Sequence, residues 1–481
     1  MDLSGRRVTI MGLGRHGGGT AAARFAVQSG ARVVVTDTAP KAALADSLAE
    51  VAGLPIERFQ FGGHCEDDFR DAELVVVNPA VPPANGWLQF ARQQGALLTS
   101  EMELFLHACP AQLIGVTGSN GKSTTSAMTA TILTAAGRRV WLGGNIGHSL
   151  LGDLGAMQPE DWVIVELSSF QLAQLADGQP IPPELQKLTA CIVTNCSPNH
   201  LDWHGDYEHY QSAKQRIVEC VAPGGAVLFN TADAEVSKWA LPTHARTTPP
   251  VADGAIPWLA VPGEHNRSNA RCAAAAARVA GCDAISIAQG LASFTGLPHR
   301  LALVGEVAGR KFYNDSMATT PESVIAALSA LKEPIWLLAG GKEKGSEFAA
   351  LADAIVKCAR GVCFYGTARE KLSALVQSRL AAHASERQIG HGVFNRDVGT
   401  CETLPEALEW CFARTRAGDA LLLSPACASY DRFRDYIDRA EAFVAAMHAL
   451  QQRWRNGNNF DRADESTCKA DDLALDSESC L

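Results

Sequence analysis

The sequence has no C-x-x-C pair, although it carries 14 cysteines in 481 residues. Structural zinc sites and thioredoxin-type redox centres need that spacing, so neither is expected. The cysteines are expected to be free thiols in a reducing compartment. No apolar run approaches the ~18 residues that span a bilayer, and no membrane segment is expected. The opening Met1-Asp2-Leu3-Ser4-Gly5-Arg6-Arg7 lacks a signal peptide's basic start, apolar core and cleavage site, and a strand is expected directly after it. Positive charge is in deficit, with a net charge of −10. No global basic field invites nucleic acid; a protein of this charge that handled nucleotides would depend on local cations and Mg²⁺.

Hydrophobic content of 47% and charged content of 20% are ordinary for a soluble globular protein. The length suggests roughly three domains. Residues 1–99 alternate apolar strands (8–11, 32–36, 74–77) with helical stretches. Residues 100–298 open with a helix at 101–107, followed by strands at 112–116, 162–166 and 190–194 and an alanine-rich helix at 269–279. Residues 299–455 alternate again, with strands at 335–339, 361–365 and 420–423. Apolar strands separated by helices argue for parallel sheets, hence an α/β chain. No short internal repeat interrupts this order. Residues 456–481 hold seven acidic residues against Arg462 and Lys469, with few large apolar groups. They are expected to form a disordered, solvated acidic tail.

The segment Thr117-Gly118-Ser119-Asn120-Gly121-Lys122-Ser123-Thr124 lies between an apolar run and a long Ala/Thr/Met/Leu stretch. That is the context of strand, glycine loop and helix. Such a loop aims backbone N–H groups at a phosphate, and the helix N-terminus adds partial positive charge. Lys122 would neutralise β/γ-phosphate oxygens, and Ser123 or Thr124 would offer a hydroxyl to Mg²⁺. The usual P-loop glycine would stand at Val116; here it is displaced to Gly118. The alternative is a glycine turn that binds nothing.

An earlier cluster, Gly12-Leu13-Gly14-Arg15-His16-Gly17, follows the first strand, and Asp37 ends the second. The spacing fits NAD(P), another diphosphate nucleotide, or a purely structural turn. Elsewhere the chain offers ATP chemistry and no evident hydride partner. In the centre, Gly143-Gly144-Asn145-Ile146-Gly147 is a glycine-lined turn carrying one amide. Glu166 ends a buried strand beside the phosphate loop, where Mg²⁺ would be held, unless it merely caps the following turn. In isolation, His200 reads as a loop histidine and Lys214 as a helix-surface lysine.

Taken together, these motifs resemble the ATP-dependent Mur ligases. The resemblance covers residues 1 to about 450. It rests on T-G-S-N-G-K-S-T, G-G-N-I-G, E-L-S-S-F-Q-L, N-H-L-D, A-K-x-R-I, G-E-H-N-x-x-N-A, F-x-G-L-P-H-R, N-D-S-x-A-T and L-L-S-P-A-C-A-S-x-D-x-F, in that order. It implies a Rossmann-like N-terminal domain (1–99) for a UDP-linked substrate, a central P-loop ATPase-like parallel-sheet domain (100–298) and a Rossmann-like C-terminal domain (299–455) for an amino acid. The implied activity adds D-glutamate to UDP-N-acetylmuramoyl-L-alanine through an acyl phosphate, in cytoplasmic peptidoglycan precursor synthesis, by a monomer with no nucleic-acid or membrane partner.

The resemblance also implies roles. ATP would lie on Gly118, Ser119, Asn120, Gly121, Lys122, Ser123, Thr124, Asn145, Asn266, Asn269, Arg300 and Asp315. Two Mg²⁺ ions would be held by Ser123, Glu166, His200 and Lys214, the last as a CO₂-derived carbamate. Lys122, Glu166, His200 and Lys214 would be catalytic. The UDP substrate would meet Arg15, His16, Asp37, Thr38, Asn145 and His200; the amino acid would meet Thr319, Lys344, Ser429 and Tyr436. ATP contacts from both the second and third segments imply domain closure during the reaction.

Three positions depart from the family pattern. Met317 stands where a lysine is usual, and Lys342 is a candidate to supply the missing charge. Asn78-Pro79-Ala80 replaces S-P-G, and Tyr436 replaces phenylalanine. The rivals are a folylpolyglutamate synthetase, which has no dedicated UDP-binding domain of this kind, and a nucleotide-sensing module that binds without turnover.

Overall fold

The structure is a computed structural model that describes residues 2–15, 17–146, 148–239, 245–343, 345–386 and 397–455. His16, Lys344 and the 456–481 tail therefore lie outside the described residues. The chain forms two compact units, one ending at Thr295 and the other beginning at Gly296.

The first unit holds two parallel sheets. One comprises β1 (Arg7–Met11), β2 (Arg32–Asp37), β3 (Ile56–Phe61), β4 (Leu74–Val77) and β5 (Leu97–Thr99), in the order β3-β2-β1-β4-β5. The other comprises β6 (Gln112–Thr117), β7 (Val140–Gly144), β8 (Trp162–Glu166), β9 (Leu188–Val193), β10 (Val221–Phe229) and β11 (Arg246–Thr247), in the order β11-β10-β9-β6-β8-β7. β4 and β8 are almost unbroken apolar runs, and β1 and β6 are buried along all but their first residue, as in parallel sheets covered on both faces. Both sheets reverse strand order beside the strand that feeds a glycine loop, which is where such sheets bind ligands.

The second unit holds one sheet of β12 (Ala302–Val307), β13 (Arg310–Asn314), β14 (Ile335–Gly340), β15 (Ala359–Tyr365), β16 (Asp397–Thr400) and β17 (Ala420–Leu423). Its order is β12-β13-β17-β14-β15-β16, and only β12 runs antiparallel, against β13. The α/β fold and parallel sheets expected from the sequence are thus present, with one antiparallel edge.

Polar residues brace a strained turn. After the helix Ser169–Gln174, Ala176 and Asp177 adopt left-handed backbone at φ 49° and 51°. Arg216 holds that turn by donating to the carbonyls of Leu172, Leu175 and Gln179 at 2.6–2.9 Å. Glu103 accepts the Ala176 N–H at 2.8 Å. Burial pushes the Glu103 carboxyl up to about 7. The unfolded chain releases this proton more readily than the folded one. The folded state is therefore unpenalised below about pH 4.5 and loses stability as pH rises towards 7, by up to about 3 kcal/mol. Glu103→Gln is expected to flatten that slope in thermal unfolding measured from pH 4.5 to 7.5; an unchanged slope would contradict the assignment.

Candidate functional site

The phosphate loop joins β6 to the helix Lys122–Ala135. Gly118 (φ 148°) and Gly121 (φ 80°) take backbone that other residues rarely adopt. A Cβ on Gly118 would clash with Thr194 Oγ1, and one on Gly121 would fall 2.5 Å from Asn269 Oδ1. The displaced glycine is therefore fixed by the chain end of β9. That same segment shapes the loop: Asn195 O accepts the Ser119 N–H (3.0 Å), and Asn195 Oδ1 accepts the Asn120 N–H (2.9 Å). Thr194 Oγ1 donates to Asn120 O at 2.6 Å. Ser119 Oγ lies 2.8 Å from the buried Tyr210 hydroxyl. Asn266 and Asn269, one helical turn apart on Glu264–Val279, are both buried, and Asn269 packs against the loop.

Two lysines converge on one carbonyl. Lys122 Nζ donates to Gly118 O (2.9 Å) and Ser119 O (3.0 Å), while Lys214 Nζ donates to Gly118 O at 2.8 Å. Lys214 is no surface lysine. It is 2% exposed, on the inward face of Tyr207–Glu219 with Tyr210, Ala213, Ile217 and Val218, and its ammonium sits 4.8 Å above the Tyr210 ring. Burial first, and the Lys122 charge second, hold its pKa well below the usual lysine range. The lowered pKa raises the share of neutral, nucleophilic amine at this spot.

Glu166 ends β8, paired in register with Val116 of β6 and Gly144 of β7. It is 1% exposed. Its Oε1 accepts from Asn145 Nδ2 (2.8 Å), and its carbonyl accepts the Asn145 N–H (2.9 Å), but buried Oε2 has no hydrogen-bond partner. Glu166 does not cap the next turn; Ser168 does, in a capping box with Gln171. A buried carboxylate oxygen with nothing to pair is costly unless a cation or proton donor meets it. Among the described residues no three of His, Cys, Asp and Glu converge, so a cation here would also draw on hydroxyl, phosphate or water oxygens.

His200 is exposed, with left-handed backbone (φ 53°), at the start of the short helix Leu201–His204. Its ring packs edge-on to Phe170 at 4.8 Å, and the ring of His204 lies nearly parallel to Phe170 at 5.5 Å. Burial, reinforced by the Lys214 charge, lowers the His204 pKa to about 4, and its Nε2 is 2.9 Å from Ser169 Oγ. Sequence reading passed over His204 and Phe170.

In the first sheet, the glycines after β1 answer to close packing. A Cβ at Gly12 would lie 2.7 Å from the Asn78 Cβ, and Asn78 Nδ2 donates to Gly12 O at 3.2 Å. Asp37 Oδ2 accepts the Gly14 N–H (3.0 Å) and Oδ1 the Ala39 N–H (2.8 Å). Asp37 thereby pins the loop, while Arg15 and Thr38 are exposed beside it.

The second unit brings its candidates together at the carboxyl ends of β13, β14 and β17. Buried Asp315 accepts from Ser424 Oγ (2.7 Å) and from the Leu301 N–H (3.1 Å), and burial lifts its carboxyl to about 7. His299 (φ 62°) and Leu301 (φ 45°) flank Arg300 in strained backbone. Half-buried Met317 and Thr319 follow, with the Thr319 N–H donating to Met317 O at 2.9 Å. Ser429 is buried, and the Tyr436 ring lies 6.1 Å from His299. Exposed Lys342 is fixed by backbone pairing with Ala428.

Three family models match the chain: the Mur ligase MurD-like N-terminal domain over residues 6–100, the Mur ligase middle domain over 116–252, and the Mur ligase glutamate ligase domain over 299–427. The chain belongs to the Mur ligase family. Among Mur ligases it is 35% identical over 474 residues to the UDP-N-acetylmuramoylalanine–D-glutamate ligase of Geobacter metallireducens, covering 94% of this chain and 99% of that one. It is 36% identical over 481 residues to the ligase of the same name from a Roseiflexus species, covering 92% and 98%. Its fold resembles that of the UDP-N-acetylmuramate–alanine ligase MurC of Thermotoga maritima, with a TM-score of 0.57 at 19% identity over 92% of this chain and 99% of that one. MurF ligase of the same organism, solved with ADP, gives 0.56 at 16% identity over 94% and 100%. The glycine cluster after β1 thus lies in the segment matched by a Mur ligase domain. Among the described residues no helix is long and apolar enough to cross a membrane.

Proposed function

We propose that this Mur ligase is a cytoplasmic UDP-N-acetylmuramoyl-L-alanine:D-glutamate ligase that uses ATP to form the new amide bond. The observation that carries this reading is the phosphate loop with its displaced glycine, set beside the unpaired carboxylate oxygen of Glu166 and the buried amine of Lys214. A carboxylate does not react with an amine at neutral pH. ATP therefore phosphorylates the L-alanyl carboxylate, the D-glutamate amine attacks the acyl phosphate, and phosphate leaves the tetrahedral intermediate. The protein supplies position and charge. Loop N–H groups and Lys122 take the phosphate oxygens; Asn269 borders the same loop, and Asn266 is assigned to ATP with it. Arg300 and Asp315 are assigned to ATP, the first glycine cluster with Arg15, Asp37 and Thr38 to UDP, and Thr319, Ser429 and Tyr436 to D-glutamate. His16 and Lys344 keep the roles implied by family resemblance.

The residues fit Mg²⁺: Glu166 Oε2 is a buried oxygen without a partner, and Ser123 is a buried hydroxyl at the head of the loop helix. With His200 and Lys214 they would hold the ion, which when bound neutralises phosphate charge. Lys214 suits the carbamate assignment because an amine reacts with CO₂ only when neutral, releasing a proton and gaining an anionic oxygen pair. Phe170, which packs against both imidazoles, would orient His200.

Lys342 is assigned to the acceptor's negative charge in place of the lysine that Met317 displaces. Lys342→Ala is expected to raise the KM for D-glutamate by about tenfold and to leave that for ATP alone; unchanged kinetics for both would remove Lys342 from the site. The function itself is tested by phosphate release with UDP-N-acetylmuramoyl-L-alanine, ATP and a panel of D- and L-amino acids.

A further inference from the structure

Arg439 is the largest fully buried side chain of the described chain. Its acceptors are all neutral: Nε donates to Ser316 Oγ at 3.0 Å, Nη2 to Ser316 O at 2.8 Å and Nη1 to Cys427 O at 3.0 Å. Among the described residues no ion pair neutralises it. Burying a guanidinium without a carboxylate is expensive, and carbonyl dipoles offset only part of that cost.

What the guanidinium gains is a junction. Ser316 precedes Met317 and Thr319 on the segment after β13. Cys427 precedes Ser429 on the segment after β17. Ser316 Oγ passes the network on to Tyr436 O at 2.8 Å. Gly341, which follows β14, borders the guanidinium: a Cβ there would lie in ordinary contact, 3.4 Å from Arg439 Nη1. Ala426, beside this junction, takes left-handed backbone (φ 59°), and its N–H donates to Ala318 O at 2.9 Å. One fork therefore ties the segments after β13 and β17 together and borders the segment after β14, at the carboxyl ends of three adjacent strands. Each segment carries a residue assigned to the amino acid, and the ligand side of an α/β sheet is at those strand ends.

We propose that Arg439 is the positioning residue of the acceptor amino-acid site, and that its uncompensated charge favours a dicarboxylate acceptor. This rests on the reading of the second unit as the D-glutamate site. Arg439 does not touch the substrate. It fixes the loops that do, and it places a positive charge, poorly screened by solvent, beneath the segment where Met317 provides none. The acceptor's carboxylates would feel that charge through the loops it fixes, without contacting it.

The test uses Arg439→Lys, Arg439→Gln, Met317→Lys and the Arg439→Gln/Met317→Lys double variant of the full-length enzyme. Steady-state kinetics are taken for each of the three substrates, with thermal unfolding of every variant. Turnover of the unaltered enzyme with D-glutamate comes first, because its absence would refute the functional reading rather than the role of Arg439. Arg439→Gln is expected to raise the KM for D-glutamate by about 10- to 100-fold while the KM values for ATP and the UDP substrate stay within about threefold. Arg439→Lys, which keeps the charge but loses the fork, should fall between and retain the melting transition. Met317→Lys should recover part of the loss by restoring a cation on the same segment. Three KM values rising in parallel, an unchanged KM for D-glutamate in Arg439→Lys, or no recovery with Met317→Lys would overturn the proposal. If Arg439→Gln does not fold, the Arg439→Lys profile and the effect of Met317→Lys upon it decide the matter.

Discussion

Lys122→Ala is expected to lower ligase turnover by roughly 10²- to 10³-fold while the chain keeps its fold. Lys122 is half-buried, and its ammonium bonds two loop carbonyls, Gly118 O and Ser119 O. Losing those bonds costs about 1 kcal/mol each. Gly118 O also retains its second donor, Lys214. The loop is also held by Thr194 and Asn195, so it does not depend on Lys122 alone. The loss should therefore fall on catalysis, where charge develops on the transferring phosphoryl group and a fixed ammonium is worth most. Phosphate release and circular dichroism on the same preparation separate the two effects. Near-normal turnover would remove Lys122 from the reaction.

Lys214→Ala is expected to reduce turnover by about 10²-fold or more, for a different reason. Lys214 is buried, its pKa is held low by burial and by Lys122, and it faces the phosphate loop from the inner side of its helix. Converted to a carbamate, it becomes an anionic ligand where it was a donor. The unaltered enzyme should consequently lose activity in CO₂-depleted buffer and regain it with bicarbonate, while Lys214→Ala responds to neither. If CO₂ depletion has no effect, Lys214 acts as an amine, and the carbamate assignment fails even if the variant is inactive.

Interior strands were legible from sequence because burial on both faces leaves continuous apolar runs: β1, β2, β4, β6, β8, β9, β14, β15 and β17 were all anticipated within a few residues. The sheet edges were not. β3, β5, β7, β11, β12 and β16 are short or half-exposed, so their patterns are mixed. β10 was hidden by Pro223-Gly224-Gly225, which reads as a turn and coincides with a register shift against β9. β13 opens on Arg310-Lys311, which reads as surface.

The site divides along the same physical line. The phosphate loop and the strand-end Glu166 announce themselves by local spacing. Lys214 does not, because a lone lysine in a polar helix looks solvated. The clue was its register with Tyr210, Ala213, Ile217 and Val218, an inward-facing set in which a charged residue needs a reason. Arg439 had no local signal at all, since its partners Ser316 and Cys427 are brought to it only by the sheet.

The most direct measurement is phosphate release from ATP with UDP-N-acetylmuramoyl-L-alanine and one amino acid at a time. The proposed ligase releases phosphate with D-glutamate, not with L-glutamate or neutral D-amino acids, and only when all three substrates are present. Release with a different amino acid, or nucleotide binding with no release under any combination, would contradict it.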